Sequence, residues 1–133
     1  MVHAKSLRDL EVYKLARQLS REIYEVSKKF PREEMYSLTD QIRRSSRSVG
    51  SQIAEAWAKR RYEKHFVSKL TDADGEQQET QHWIETALDC SYLSPTQVNG
   101  WLEHYTSVGK MLNSMMVNAN EFCSHRLPMT DYR

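Results

Sequence analysis

The side chains best suited to chemistry in this chain are basic, and they fall into two groups. Both groups lie between Arg43 and Lys69, where eight Lys or Arg residues accompany only two acids. From Leu70 to Gly109 there is no Lys or Arg at all. Positive charge gathered in this way binds anions such as phosphates and carboxylates. The two groups are Arg43, Arg44 and Arg47, followed by Lys59, Arg60, Arg61 and Lys64.

Each group has more than one interpretation. If the second and third helices run antiparallel, Arg44 lies level with Glu79 and can form a salt bridge across the bundle. Arg47 then lies level with Glu76 in the same way. The second group clusters at one end of the molecule with only Glu63 nearby, so a polyanion, an acidic neighbour and plain solvation all remain open.

No other set of residues identifies a reaction or a metal. The segment 72–76 has the acids of a calcium loop, but its glycine comes at the fourth position and the segment lies mid-helix. Glu79 and His82 have the spacing of a bundle-core metal pair without the second pair that such a site requires. Glu55 lies on a helical stripe with no nucleophile or second acid beside it, and we interpret it as a hydrogen-bonded packing residue. We therefore expect no enzyme, no cofactor, no metal and no small-molecule substrate.

Length and composition are those of one helical domain. The chain has 133 residues, 28% of them charged, and only seven are Gly or Pro. The net charge of +1 argues against a generic polyanion binder, so nucleic-acid binding would need a local basic patch. No apolar run approaches the length of a membrane span, and the N-terminus lacks the apolar region of a signal peptide. We expect a cytoplasmic protein with no membrane contact, in which Cys90 and Cys123 remain reduced.

Hydrophobic periodicity places four helices around these residues. The first runs from about Asp9 to Lys29, and the second begins at Leu38, where Ser37 can cap it. Ser45 and Ser46 interrupt the apolar stripe of the second helix and let a neighbouring helix approach closely. The stripes of these two helices are Val12, Ala16, Leu19, Ile23, Val26 and Phe30, and then Leu38, Ile42, Val49, Ile53 and Ala56.

A tight turn near 60–62 separates the second helix from the third, because one helix from Leu38 to Tyr92 would be about 80 Å long. The third helix is polar in the middle, at Gln77 and Thr80, where we expect it to face Ser45 and Ser46. The fourth helix begins at the capping sequence Ser94-Pro95-Thr96-Gln97 and runs to about Cys123. The stripes of these two helices are Phe66, Leu70, Ala73, Gln77, Thr80, Ile84 and Ala87, and then Val98, Trp101, Tyr105, Val108, Leu112, Met115, Ala119 and Phe122.

Four helices with short links predict an all-α fold, an antiparallel up-down-up-down four-helix bundle. The bundle should occupy residues 1–123, with a loose tail over 124–133. Several aromatic residues lie off the apolar stripes, which is typical of a subunit interface. These candidate interface residues are Tyr13, Tyr24, Trp57, Tyr62 and Trp83.

The order and spacing of several short segments resemble the family of small four-helix-bundle proteins encoded in intervening sequences of bacterial 23S ribosomal RNA genes. This sequence has Gly50, Gln52 and Ala56 where that family often has proline, asparagine and glycine. The matching segments are Asp9-Leu10-Glu11-Val12-Tyr13 with Ala16, Phe30-Pro31 with Glu34, Tyr36, Leu38, Thr39 and Gln41, Arg43-Arg44, Ser48-Val49, Ile53-Ala54-Glu55, and Tyr92-Leu93-Ser94.

The resemblance implies a ring-shaped homo-oligomer, typically a pentamer. It also implies nucleic-acid binding, because related accessory proteins of diversity-generating retroelements are associated with nucleic acid and a reverse transcriptase. On this chain that implication attaches to Arg43, Arg44 and Arg47 and to Lys59, Arg60 and Arg61. We expect RNA or DNA as the partner. The alternative is a protein-only scaffold whose basic end docks on the acidic face of the next subunit, which carries Asp72, Asp74, Glu85 and Asp89.

Overall fold

The computed structural model describes residues 4–123, and this part of the chain is all-α with no strand. Two short 3-10 turns, Leu7–Asp9 and Arg32–Glu34, precede the first two long helices. The predicted tail, 124–133, lies outside the described residues. The helices are α1 (Glu11–Ser27), α2 (Leu38–Ala58), α3 (Glu63–Asp89), α4 (Pro95–Val117) and the short α5 (Ala119–Phe122).

The four long helices enclose one hydrophobic core. Helix α2 packs on α1 and most extensively on α3, and α4 packs on both α3 and α1. Every predicted stripe residue of α2 and α3 is buried, including the polar Gln77 and Thr80. The apolar periodicity therefore identified the buried side of both helices.

Within residues 4–123, no helix combines the length and the apolar character that crossing a membrane requires.

The polar middle of α3 meets the small residues of α2, as predicted. Thr80 Oγ1 donates a hydrogen bond to Ser45 Oγ at 2.9 Å, and both side chains are fully buried. Ser45 Oγ donates to the Ile42 carbonyl at 3.4 Å, and the Glu76 carbonyl, 2.8 Å from Thr80 Oγ1, is an alternative acceptor for the Thr80 hydroxyl, so both buried hydroxyl donors have a partner. Small hydroxyl residues therefore let these two helices lie close together without losing hydrogen bonds.

The predicted starts of α2 and α4 are confirmed, but only α4 has the predicted capping hydrogen bond. Ser94 Oγ accepts a hydrogen bond from the Gln97 N–H at 3.2 Å, and Pro95 is the first residue of α4. Helix α2 does begin after Ser37, yet the Ser37 side chain makes no capping bond. The Glu34 carboxylate instead accepts from the Leu38 N–H at 3.3 Å, because the preceding 3-10 turn places it there.

The turn predicted near 60–62 is confirmed, since α2 ends at Ala58 and α3 begins at Glu63. The continuous fourth helix is a wrong prediction, because α4 ends at Val117. Asn118 leaves the helical conformation, with φ −104° and ψ 29°, and both its backbone N–H and its side-chain amide donate to the Ser114 carbonyl, at 3.0 and 2.9 Å. The chain then forms α5, from which Phe122 stacks on Phe66 with ring centroids 5.7 Å apart.

Helix α1 ends at Ser27, two residues before the predicted end. The predicted stripe residue Val26 is only half-buried, whereas Ser27 is 2% exposed. A polar residue occupies this buried position because it receives a hydrogen bond from α2, described next.

Candidate nucleic-acid interface

Three cations gather around one tyrosine ring where α1 packs on α2. The guanidinium carbons of Arg43 and Arg47 lie 4.7 and 5.1 Å from the centre of the Tyr24 ring, and Lys28 Nζ lies 4.8 Å from it. Tyr24 lies at the bundle surface and is 36% exposed. The ring attracts the cations through its negative face, so it holds together charges that would otherwise repel one another. We call these four residues the Tyr24 cluster.

Helical spacing and one buried hydroxyl position this cluster. Tyr24 and Lys28 are four residues apart on α1, as are Arg43 and Arg47 on α2, so each pair shares one side of its helix. Arg43 Nε donates to Ser27 Oγ at 2.8 Å, and Ser27 Oγ donates to the Tyr24 carbonyl at 3.0 Å. Arg43 is therefore held at two points, by the hydroxyl and by the ring.

Arg43 and Arg47 form no ion pair with any carboxylate of residues 4–123. Lys28 does pair with Glu25, at 3.1 Å between exposed side chains. The cluster thus retains uncompensated positive charge at a partly exposed position. That arrangement is suited to binding an anion.

A second ring, nearer the start of α1, also carries a cation. The guanidinium of Arg17 lies 5.7 Å from the centre of the Tyr13 ring. A groove between α1 and α2 connects Tyr13 and Arg17 with Arg47, and its floor consists of small residues: Ala16, Ser20, Gly50, Ser51 and Ala54. Arg8 and Arg21 line the adjoining hollow beside Tyr13. We define the α1–α2 basic surface as Arg8, Arg17, Arg21, Lys28, Arg43 and Arg47.

Arg44 follows Arg43 directly but is neutralised by α3. It pairs with Glu79 and, at 3.6 Å, with Glu76, which confirms the predicted level of Arg44 and Glu79. A hydrogen bond from the Trp83 indole at 3.0 Å, together with Arg44, holds the pKa of Glu79 below its usual range. The pKa of Arg44 is raised by its bond to Glu79.

The predicted pairing of Arg47 with Glu76 is wrong. Glu76 accepts a hydrogen bond from Ser48 Oγ at 2.8 Å and also pairs with Arg44, while Arg47 lies on the other side of α2 against Tyr24. Successive residues turn by about 100° around a helix, so Ser48 replaces Arg47 on the side facing α3.

The second basic group surrounds the α2–α3 turn. The Arg60 guanidinium lies 3.6 Å from the centre of the Trp57 ring, and Arg60 Nε donates to the Trp57 carbonyl at 2.8 Å. Burial lowers the pKa of Arg60. Lys59, Arg61 and Lys64 are exposed. Sixteen residues of helix, about 24 Å, separate Lys59 from Arg43, so the structure does not bring the two groups together.

The aromatic residues predicted at a subunit interface all have partners within the chain. Tyr13 and Tyr24 carry cations, and Trp57 lies under Arg60. The Tyr62 ring contacts His65 at 5.2 Å between centroids, and Trp83 contacts Glu79 and His82. Larger exposed apolar area lies in the connector between α1 and α2, where Met35 is 47% exposed and Tyr36 is 91% exposed. Whether any of these residues meets a second subunit stays a prediction.

Sequence reasoning missed the contribution of α1 to this surface. Arg17 and Arg21 are separated by uncharged residues and lie between Glu11 and Glu22, so they form no continuous charge run. Their spacing of four residues, beside the tyrosines at positions 13 and 24, was the available signal.

The other candidates engage in structural contacts. Glu55 is exposed rather than packed, and it pairs with Lys69 at 3.5 Å. Over residues 4–123 no group of three or more His, Cys, Asp or Glu side chains is arranged to hold a metal ion. Cys90 is exposed, Cys123 is buried, and both are free thiols. Burial raises the pKa of the Cys123 thiol, which disfavours the reactive thiolate.

Comparison with known proteins identifies relatives by sequence and by fold. The model of the family described as "23S rRNA-intervening sequence protein" matches residues 8–114. A solved structure of a protein of unknown function from the S23 ribosomal protein family of Bacteroides thetaiotaomicron is similar, with 26% identity and a TM-score of 0.72. The alignment covers 79% of this chain and 94% of that chain. No functionally curated protein matches the sequence.

Proposed function

The chain belongs to the 23S rRNA-intervening sequence protein family, and from that premise we propose that it is a non-enzymatic accessory protein that binds RNA or DNA. The α1–α2 basic surface is the proposed contact with the phosphate backbone. One observation carries this proposal: Arg43 and Arg47 are held on the Tyr24 ring without a carboxylate partner.

The charge distribution supports a directed contact. The net charge is only +1, yet the stretch from Leu70 to Gly109 contains seven acids and no Lys or Arg. The remainder of the chain is therefore basic, and on the α1–α2 side Arg43 and Arg47 have no carboxylate partner among residues 4–123. A polyanion approaching this molecule is attracted to one side and repelled by the other. The small residues between Arg17 and Arg47 leave room for a sugar-phosphate backbone to approach the helices.

We further propose that the helices run antiparallel in up-down-up-down order and that the protein assembles into a ring, a pentamer, in the cytoplasm. Contacts between α2 and α3 support the helix order, because residues 44, 48 and 52 meet residues 79, 76 and 69. Exposed Met35 and Tyr36 offer apolar area for a subunit contact. A ring would repeat the basic surface, so several modest phosphate sites would act on one strand together.

The proposal predicts salt-dependent binding. Fluorescence anisotropy with a labelled single-stranded RNA should show log affinity falling linearly with log salt between about 50 and 300 mM. Replacing Arg43 and Arg47 together with glutamine should weaken binding about tenfold at low salt and flatten the slope, because two phosphate contacts are lost.

Two matched controls sharpen this test. Arg44→Gln removes an adjacent arginine that α3 already neutralises, so affinity should stay within about twofold of the parent. The pair Lys59→Gln with Lys64→Gln measures what the α2–α3 turn contributes. A parent protein that binds neither RNA nor DNA at about 50 mM salt contradicts the proposal.

A protein-only scaffold is the second candidate, and the split charge favours it. Asp72, Glu85 and Asp89 are exposed on α3, and Asp74 is half-buried beside them. The basic residues 59–61 and 64 of one subunit could dock on this face of the next. Reversing Lys59 and Lys64 to glutamate should then break the assembly, measured by light scattering on a sizing column. Under the nucleic-acid proposal the same reversal leaves the mass unchanged.

A further inference from the structure

We propose that the Tyr24 cluster binds the terminal phosphate of a nucleic-acid strand, whereas the rest of the α1–α2 basic surface contacts internal phosphates. This inference rests on the proposed nucleic-acid function and names the part of the strand that the cluster recognises. A terminal phosphate is a phosphomonoester, and its chemistry differs from that of the phosphodiesters along the backbone.

Positive charge converges on the Tyr24 ring. Lys28, Arg43 and Arg47 each place a cationic centre within 5.1 Å of the same ring centre. Elsewhere in the described part of the chain, the rings that hold a cation hold one each: Tyr13 holds Arg17 and Trp57 holds Arg60. The Tyr24 ring thus gathers three cations, which a phosphate group can approach together.

The net charge of the Tyr24 cluster matches that of a phosphomonoester. Glu25 pairs with Lys28, but Arg43 and Arg47 have no acid partner among residues 4–123, so the cluster keeps an excess of about two positive charges. An internal phosphodiester carries one negative charge, whereas a phosphomonoester carries about −1.5 to −2 near pH 7. A terminal phosphate therefore neutralises the excess positive charge of the cluster, whereas an internal phosphate neutralises only part of it.

The Tyr24 cluster is pre-organised for an anion. Arg43 is fixed by the Ser27 hydroxyl at 2.8 Å and by the Tyr24 ring, so little side-chain freedom is lost when an anion binds. A guanidinium presents its N–H groups in a planar fork that fits two phosphate oxygens. A lysine and two arginines around one ring can therefore offer more donors than a single phosphodiester oxygen pair accepts.

The α1–α2 basic surface continues away from the Tyr24 cluster along a groove. The groove floored by Ser20, Gly50 and Ser51 leads from Arg47 to Arg17 and Tyr13. At the far end of this groove Arg17 lies on the Tyr13 ring, and Arg8 and Arg21 line the hollow beside it, so cations for internal phosphates continue along the surface. A strand whose end lies at Tyr24 can follow the groove without needing a second converging site.

The test compares RNA oligonucleotides that share one sequence and differ only at their ends. One carries a 5′-phosphate, one a 3′-phosphate, and one has hydroxyls at both ends, with the fluorophore placed on an internal base. Anisotropy titrations of the parent protein at about 100 mM salt should show one phosphorylated oligonucleotide binding about fivefold more tightly than the hydroxyl form. The 5′ and 3′ arms determine which end is recognised.

Variants then locate the effect. Lys28→Gln, at an exposed side chain, and Arg43→Gln should each reduce the end preference to less than about twofold. Tyr24→Leu should abolish the preference because the ring holds the cations, whereas Tyr24→Phe should keep it. Lys59→Gln is the matched control and should leave the preference unchanged. Circular dichroism of each variant checks that the helices are intact.

Each outcome bears on a different claim. Equal affinity of the parent protein for all three oligonucleotides overturns the terminal-phosphate inference and leaves nucleic-acid binding standing. A preference that survives Lys28→Gln and Tyr24→Leu, both in folded protein, also overturns it, because the end is then bound elsewhere. Absence of binding to every oligonucleotide at low salt rejects both the inference and the proposed function.

Discussion

Arg43 and Arg44 are consecutive residues, yet the two sides of α2 give them opposite environments. On the α1 side, Arg43 rests on the Tyr24 ring and donates to a serine hydroxyl. On the α3 side, Arg44 meets the carboxylates of Glu76 and Glu79. A cation held by a ring and a hydroxyl keeps its charge available, whereas a cation held by two carboxylates does not.

The difference comes from the neighbouring helices rather than from the arginines. Helix α1 offers Tyr24 and Ser27 to α2, and α3 offers acids and Thr80. The α3 side is accordingly a structural contact with a buried hydroxyl layer, and the α1 side is a surface available to an anion. Substitutions on each side of α2 test this difference.

The largest expected effect is that of filling the α2–α3 contact. Ser45→Leu inserts a large side chain at a fully buried position and removes the acceptor for Thr80. We expect a loss of about 2 to 4 kcal/mol in the free energy of unfolding, measured with urea. Ser51→Leu, at an exposed position of the same helix, should change stability by about 0.5 kcal/mol or less. Equal losses at the two positions would contradict a close α2–α3 contact.

The Arg44 ion pairs should give stability that depends on pH. The pKa of Glu79 is lowered in the folded protein, so the stabilisation is present above its ordinary value of 4.5 and is lost as pH falls through the folded pKa. Because both side chains are partly exposed, we expect Arg44→Gln to cost about 0.5 to 1 kcal/mol at pH 7. Urea unfolding from pH 7 to pH 3 should show the variant and the parent converging at the acid end. A difference that stays constant down to pH 3 would assign the loss to packing.

Two glycines should respond differently to alanine. A Cβ on Gly50 would lie 3.9 Å from the Tyr13 ring, an ordinary contact on the open α1 side of α2. Gly50→Ala should therefore stabilise the protein by about 0.5 to 1 kcal/mol through helix propensity. A Cβ on Gly109 would lie 3.0 Å from Gln77 Nε2, so Gly109→Ala should lose most of that gain. Thermal unfolding of both variants measures the contrast, and a destabilised Gly50→Ala would mean that the α1 side is tightly filled.

The smallest expected effect is that of removing the carboxylate partner of Arg44, which makes its environment more like that of Arg43. Glu79→Gln removes the main carboxylate from Arg44 and leaves an oxygen that the Trp83 indole can still donate to. Arg44 should then be more available to phosphate, and RNA affinity should rise about twofold at low salt, with a slightly steeper salt dependence. An unchanged affinity would mean that Arg44 lies out of reach of the bound strand.

Much of the fold follows from local patterns in the sequence. Every residue of the predicted α3 stripe is buried, because Phe66, Ala73 and Ala87 repeat at helical spacing and the polar Gln77 and Thr80 fall in the same register. The start of α4 was predicted because Ser94 and Pro95 each satisfy a requirement of a helix N-terminus. The wrong predictions concern the ends of α1 and α4, where side chains form hydrogen bonds.

Those errors have specific causes. Helix α4 ends at Asn118, whose side chain donates to the Ser114 carbonyl, although the apolar stripe continues past it. Ser27 is buried in place of Val26 because Arg43, sixteen positions away, donates to it. Neither bond leaves a mark on hydrophobic periodicity.

The candidate site was predicted only in part. Arg43 and Arg47 were among the basic candidates, but Tyr24 was assigned to a subunit interface and Arg17 and Arg21 were not considered. A charge run can be seen in one helix, whereas this surface takes single residues from two.

Local residues set the positions of most helix ends, the buried side of α2 and α3, and the different directions of Arg43 and Arg44, since these properties depend on residues within a few positions. Which of the two arginines is neutralised depends on tertiary packing. Arg43 finds its hydroxyl sixteen positions away and Arg44 finds its carboxylate 35 positions away. The rotation and register of α1 and α3 against α2 select those partners, and both depend on the packing of the whole core.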